Sequence, residues 1–231
     1  MKIKEFLPPG IRQQQDLNSI IWQDEDTIHP EVRAKLIKIA SFFKEYIEID
    51  FPIVDIIVTG GQTGKFYTES SDLDLHLITD FDKIDCDQEV AELFDTKRNL
   101  FNKEYNIKIK GIPVEVYVED VKQPAVGGAY SILKQQWLRQ ANQPKGQIDD
   151  EKIKIKSQEL FDLISKSLTL DNLELLDQMK DLIWNYRKQG LQKQGEFGVA
   201  NLVFKSLRNS GILDQLRSKI KDLESQKFGL K

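Results

Sequence analysis

Two aspartates one residue apart, Asp72 and Asp74, lie in a run where leucine alternates with polar residues, DLDLHLIT. A period of two is the pattern of a β-strand, whose successive side chains point to opposite faces. Leu73, Leu75 and Leu77 then enter a core, while Asp72, Asp74 and His76 share the other face. A second run, PVEVYVE, repeats the device: Val114, Val116 and Val118 point one way, Glu115, Tyr117 and Glu119 the other. If these strands are neighbours with their apolar faces aligned, Glu115 lands beside Asp72 and Asp74. Two carboxylates roughly 5 Å apart repel by roughly 3 kcal/mol at an effective dielectric of about 20. A proton or a cation relieves that repulsion. Hard, all-oxygen ligands favour Mg²⁺ or Mn²⁺ over zinc. Such a cluster can hold two ions that bridge an attacking hydroxyl and a transferring phosphoryl group. Asp-x-Asp alone is a weak signal; the alternating strand and the second acidic strand make it considerably stronger.

The loop between residues 59 and 72 supplies a second chemistry. Gly60 and Gly61 lack Cβ atoms, so their backbone can approach a phosphate closely and offer N–H donors. Thr63, Lys65, Thr68, Ser70 and Ser71 add hydroxyls and a cation to the same loop. A hairpin connection that holds its glycines for geometry alone explains the loop equally well. His76 reads as a hydrogen-bonded histidine near the sheet rather than a substrate contact, and His29 as a helix-start residue.

Elements must position these groups. Pro30 suits the first residue of a helix over residues 30–49, with Val32, Leu36, Ile39, Phe43 and Tyr46 at helical spacing. Residues 51–59, rich in Ile and Val, read as a strand, followed by the Gly-rich loop and a strand over 72–79. A helix over about 88–105 comes next, then strands over 106–110 and 113–119 joined by a tight hairpin at Gly111 and Ile112. Strand, strand, helix, strand, strand indicates an α/β sheet domain. Residues 130–139 read as a short strand or helix. A boundary near 142–146 separates residues 1–145, with an N-terminal arm turning at Pro8-Pro9-Gly10, from a helical region over 146–231. There, a helix over 153–168 precedes one capped by Asp171 and ending at Gly190, and two shorter helices are split by Gly211.

Composition bounds the answer. At 231 residues, 40% hydrophobic and 30% charged, the chain reads as a soluble globular protein. No uncharged apolar run reaches the roughly 20 residues of a membrane helix, and the N-terminus lacks a secretory core, so a cytoplasmic location is expected. The single cysteine, Cys86, excludes an internal disulfide and fits a reducing compartment. The net charge of −4 hides an acidic first part and a basic last part. In the latter, Arg187, Lys188, Lys193, Lys205 and Arg208 gather around residues 190–198; a solvated helical surface explains them as well as a polyanion does. Trp137 and Trp184 read as packing residues, with base stacking an alternative for Trp137.

Ile57-Val58-Thr59-Gly60-Gly61, ten intervening residues, then Asp72-Leu73-Asp74-Leu75, resembles the hG[G/S]…Dh[D/E]h signature of polymerase-beta-like nucleotidyltransferases. Glu115 resembles that superfamily's third acidic residue, and the core resemblance spans about residues 53–119. Residues 106–121, 129–137 and 195–216 resemble, more narrowly, predicted nucleotidyltransferases encoded by large tailed bacteriophages. The resemblance implies a small mixed sheet backed by helices with a helical domain after it. It also implies two Mg²⁺ or Mn²⁺ ions on Asp72, Asp74 and Glu115, with Glu115 helping to deprotonate the acceptor. The nucleotide, ATP or another NTP, would lie against Gly60, Gly61, Thr63, Lys65, Ser70 and Ser71. A nucleoside monophosphate would pass to an unidentified acceptor with loss of pyrophosphate, in the host cytoplasm if the chain is phage-encoded. Many members carry Gly-Ser where this chain has Gly60-Gly61, which leaves either a weaker grip on the triphosphate or substitution by Thr63 or Ser71. An inactive NTP-binding module of the same fold is the first alternative. A glycosyltransferase using Asp-x-Asp leaves the glycine loop and Glu115 unexplained. A metal-dependent nuclease expects lysine where Tyr117 stands.

Overall fold

Pro30 does open the first helix, α1 (Pro30–Ile47), in the computed structural model, which describes residues 14–68, 71–84, 89–122, 127–142, 144 and 148–229. Val32, Leu36, Ala40, Phe43 and Ile47 form its buried stripe, at the spacing that puts one helical face into a core. The helix ends before the expected residue 49 because Glu48 turns left-handed, with φ 62°. Strand β1 (Asp55–Thr59) starts later than the expected residue 51. Pro52 precedes it and has no N–H to give a ladder, while Phe51 is buried without being in a strand.

β2 (Leu73–Thr79), helix α2 (Glu89–Glu104), β3 (Lys108–Ile109) and β4 (Ile112–Asp120) follow. The β3–β4 turn is made by Lys110 and Gly111, at φ 49° and 90°, not by Gly111 and Ile112. Two positive φ values are what a two-residue type I′ turn requires, and a β-branched residue resists them. Ile112 pairs with Ile109 instead. Residues 130–139 hold two strands rather than one element, β5 (Ala129–Ser131) and β6 (Gln136–Arg139), which pair antiparallel.

The fold is mixed α/β. The sheet runs β3-β4-β2-β1-β5-β6, with β2 and β4 parallel and every other neighbouring pair antiparallel. α1 and α2 cover the face that carries Leu73, Leu75, Leu77, Val114 and Val116. β3 covers only the start of the outer edge of β4. Beyond it the Asn102 amide of α2 takes over, donating to the Val116 carbonyl at 3.1 Å and accepting from the Val116 N–H at 3.0 Å. One side chain thus satisfies the backbone where the neighbouring strand has ended.

The sheet belongs to a compact unit spanning Arg12–Gln143, and four helices to a second unit that includes Pro144–Lys231. These are α3 (Asp150–Leu168), α4 (Leu173–Gln194), α5 (Val199–Asn209) and α6 (Ile212–Lys227). Their own core includes Ile164, Leu176, Ile183, Val203, Leu207 and Leu216. Asn172 rather than Asp171 caps α4: its side chain accepts from Leu175 N–H at 3.1 Å, while Asp171 pairs with Lys219. α4 also continues past Gly190 to Gln194. Gly190 serves close approach rather than termination, since a Cβ there would sit 2.3 Å from the Ala200 Cβ on α5. Trp184 packs edge-on to Phe204, as expected of a packing residue. Among the described residues no helix is long and apolar enough to cross a membrane. Pro8-Pro9-Gly10 and Cys86 lie outside the described residues.

Replacing Gly190 by alanine is expected to force α4 and α5 apart and cost about 1–3 kcal/mol of stability by denaturant unfolding. Adding Ala200→Gly recovers most of that loss if the contact between these two residues is the cause.

Candidate metal centre

The β2–β4 pair decides what can meet on the sheet. Its parallel register sets Leu73 against Val114, Asp74 against Glu115 and His76 against Tyr117. Registered residues on adjacent strands project to the same face, so the match that buries leucine on valine also sets Asp74 beside Glu115. Asp72 lies two residues before Asp74, just ahead of β2. One carboxylate oxygen from each of Asp72, Asp74 and Glu115 falls within 4.8 Å of the other two, and none of the three residues is buried. This group could hold a metal ion. All its donors are carboxylate oxygens, the set that suits a hard divalent cation.

The loop after β1 is built against this centre. Gly60 adopts φ 85°, ψ −163°, a backbone region essentially confined to glycine. A Cβ at Gly60 would lie 2.2 Å from Asp74 Oδ2, so its absence makes room for the carboxylate. Gly61 opens a short 3₁₀ turn (Gly61–Thr63), and a Cβ there would meet Ser71 Oγ at 3.2 Å. The Ser71 side chain therefore borders the space that a residue-61 side chain would use. Ser71 Oγ accepts from Thr68 N–H at 2.9 Å, and Thr63 Oγ1 donates to the Gly60 carbonyl at 2.8 Å. Both hydroxyls shape the loop. Lys65 pairs with Glu25 at 2.9 Å, and Ser70 lies outside the described residues.

Gln62 is the loop residue that the sequence pattern does not single out. It is buried, donating to the Ser71 carbonyl at 2.8 Å and accepting from Asn18 at 2.9 Å. Its own carbonyl accepts from the Trp22 indole at 2.8 Å. Trp22 stacks on Trp137, with ring centres 4.8 Å apart and planes 11° apart, so Trp137 is a packing partner of the loop's anchor. The only available signal was a polar glutamine beside two glycines, which local patterning cannot tell from an exposed one.

Farther along the same face, Tyr117 donates to Glu115 Oε2 at 2.6 Å and its ring stacks on His76 at 4.6 Å. Burial, then the bond to Glu115 and the charges of Asp74, Glu115 and Asp72, push the phenol's pKa upward, so it remains an O–H donor at neutral pH. His76 is buried, but only its Nε2 is hydrogen-bonded, so the expected satisfied histidine is met at one ring nitrogen and not the other. Its Nε2 lies 3.0 Å from Thr59 Oγ1 and its Nδ1 3.0 Å from Glu119 Oε1. The remaining basic candidates have local roles where contacts are seen. Arg187 donates to Asn201 at 3.1 Å and lies over Phe204. His29 occupies the N-cap position of α1, with its ring 3.0 Å from the Ser19 carbonyl.

No family model, curated protein or solved structure matches the chain.

Gly60→Ala is expected to lower stability by about 1–3 kcal/mol, from a backbone conformation alanine resists. Because the added methyl displaces Asp74, the variant should also lose thermal stabilisation by Mn²⁺ if the wild type shows it. A melting series with and without the ion reads both effects.

Proposed function

We propose that the chain is a metal-dependent nucleotidyltransferase that moves a nucleoside monophosphate from an NTP to an acceptor hydroxyl or phosphate. The observation that carries this reading is the convergence of Asp72, Asp74 and Glu115 beside a glycine turn moulded around Asp74. Three carboxylates crowded at an open face suit divalent cations, and the reading assigns them two Mg²⁺ or Mn²⁺ ions. Such ions, when bound, neutralise charge on the triphosphate and lower the barrier to displacement at the α-phosphorus. Asp72, Asp74 and Glu115 would hold the ions, and Glu115 would also accept the acceptor's proton. The acceptor oxygen forms a bond to the α-phosphorus as the bond to the β-phosphate oxygen breaks, releasing pyrophosphate. The protein's contribution is alignment and charge neutralisation rather than covalent chemistry. Gly60 and Gly61 bound the triphosphate side through their backbone, while Thr63 and Ser71 act through the loop's shape. The resemblance of residues 53–119 to polymerase-beta-like nucleotidyltransferases supports the same reading, with a cytoplasmic setting.

The test is pyrophosphate release from each NTP with Mg²⁺ and a host lysate as the source of acceptor, with labelled NTP to mark what is modified. Asp72→Ala, Asp74→Ala and Glu115→Ala should each lower the rate by at least about 100-fold, the scale on which losing a charge-stabilising group acts. Unchanged turnover in the aspartate variants would show that the metal centre is misassigned. NTP binding without turnover in the wild type would favour an inactive nucleotide-binding module.

A further inference from the structure

Glu115 has two oxygens, and the structure engages one of them. Tyr117 sits two residues along β4, on the same face, and its hydroxyl donates to Glu115 Oε2 at 2.6 Å. The group with Asp72 and Asp74 takes one oxygen from Glu115, and the bond from Tyr117 makes Oε1 the freer of the two to supply it. A free glutamate side chain turns about three single bonds and presents either oxygen, or both. A short bond to a fixed donor removes that choice.

The donor is itself held in place. From β2, His76 stacks on the Tyr117 ring at 4.6 Å with planes 12° apart, and from α2 the Arg98 guanidinium lies over the ring at 5.2 Å. His76 is fixed in turn between Thr59 of β1, 3.0 Å from Nε2, and Glu119 of β4, 3.0 Å from Nδ1. A hydrogen bond, a ring stack and a second hydrogen bond therefore run across three adjacent strands, from Thr59 through His76 and Tyr117 to the carboxylate. Thr59, His76 and Glu119 are not among the groups that would touch an ion.

We propose that Tyr117 is a positioning residue for the metal centre: it holds Glu115 by Oε2 and so presents the carboxylate to the cation through a single oxygen. This rests on the reading of Asp72, Asp74 and Glu115 as a cation site. Groups that orient a metal ligand typically change affinity by about 10- to 100-fold when removed. Tyr117→Phe removes the hydroxyl and keeps the ring, so the stacking on His76 and the contact with Arg98 persist.

The experiment is direct Mn²⁺ binding, by calorimetry or by the loss of the free-ion EPR signal, on the wild type, Tyr117→Phe, Glu115→Gln and the double variant. Tyr117→Phe should weaken Mn²⁺ binding by about 10- to 100-fold with a melting temperature close to that of the wild type. The double variant should bind no more weakly than Glu115→Gln alone, because Tyr117 acts only through Glu115. Equal affinity in wild type and Tyr117→Phe overturns the positioning role, as does the same fold-loss in the Glu115→Gln background. A wild type that takes up no Mn²⁺ overturns the cation site itself, a failure distinct from the other two and visible before any variant is made.

Discussion

Like charges crowded on one sheet face are the constraint around which the N-terminal unit is arranged. Asp74 and Glu115 face each other across β2 and β4 because the apolar residues between them, Leu73, Leu75, Val114 and Val116, are buried on the opposite side. Burial of those four side chains and repulsion between the carboxylates are two consequences of one register. Each fully buried aliphatic side chain contributes about 1.5–3 kcal/mol. A carboxylate pair near the surface costs about the same order. The three carboxylate pairs together are then comparable with the four buried side chains, so a bound cation would relieve a substantial repulsion.

Around that face the structure spends its polar contacts on holding shape. Gly60 clears space for Asp74, and Gln62 ties the following turn to Asn18, Trp22 and Ser71. Tyr117, His76, Thr59 and Glu119 form a second set of contacts on the other side of Glu115. The backbone at the outer edge of β4 is satisfied by Asn102 rather than by another strand, which keeps the strand carrying Glu115 anchored to α2. Pre-set geometry of this kind is what the proposed phosphoryl transfer would ask of the protein, because little covalent chemistry would fall to the side chains.

Where local patterning misjudged the chain, either the geometry of the turn or cap itself or a neighbour distant in sequence had decided the outcome. Gly190 looked like a helix end, but α4 runs through it, and the glycine instead allows the close approach of Ala200 on α5. Asp171 looked like the cap of α4, yet Asn172 accepts the Leu175 N–H and Asp171 turns to Lys219. The β3–β4 turn moved by one residue to Lys110-Gly111, since Ile112 is better used pairing with Ile109. Gln62, Asn18 and Trp22 carried no periodic signal, and their role as the loop's anchor exists only through contacts spanning about forty positions.

Alternation in the two acidic runs was sufficient by itself to say which side chains share a face, because a strand's period of two follows from covalent geometry and needs no partner. The same holds for the buried stripe of α1 and the existence of the C-terminal helices. Whether the acidic faces would meet was a matter for tertiary structure. It depended on β2 and β4 being parallel neighbours in this register, and a slip of one residue would have turned Glu115 into the core. The packing of valine on leucine, summed over both strands, selects that register, and no single residue type encodes it.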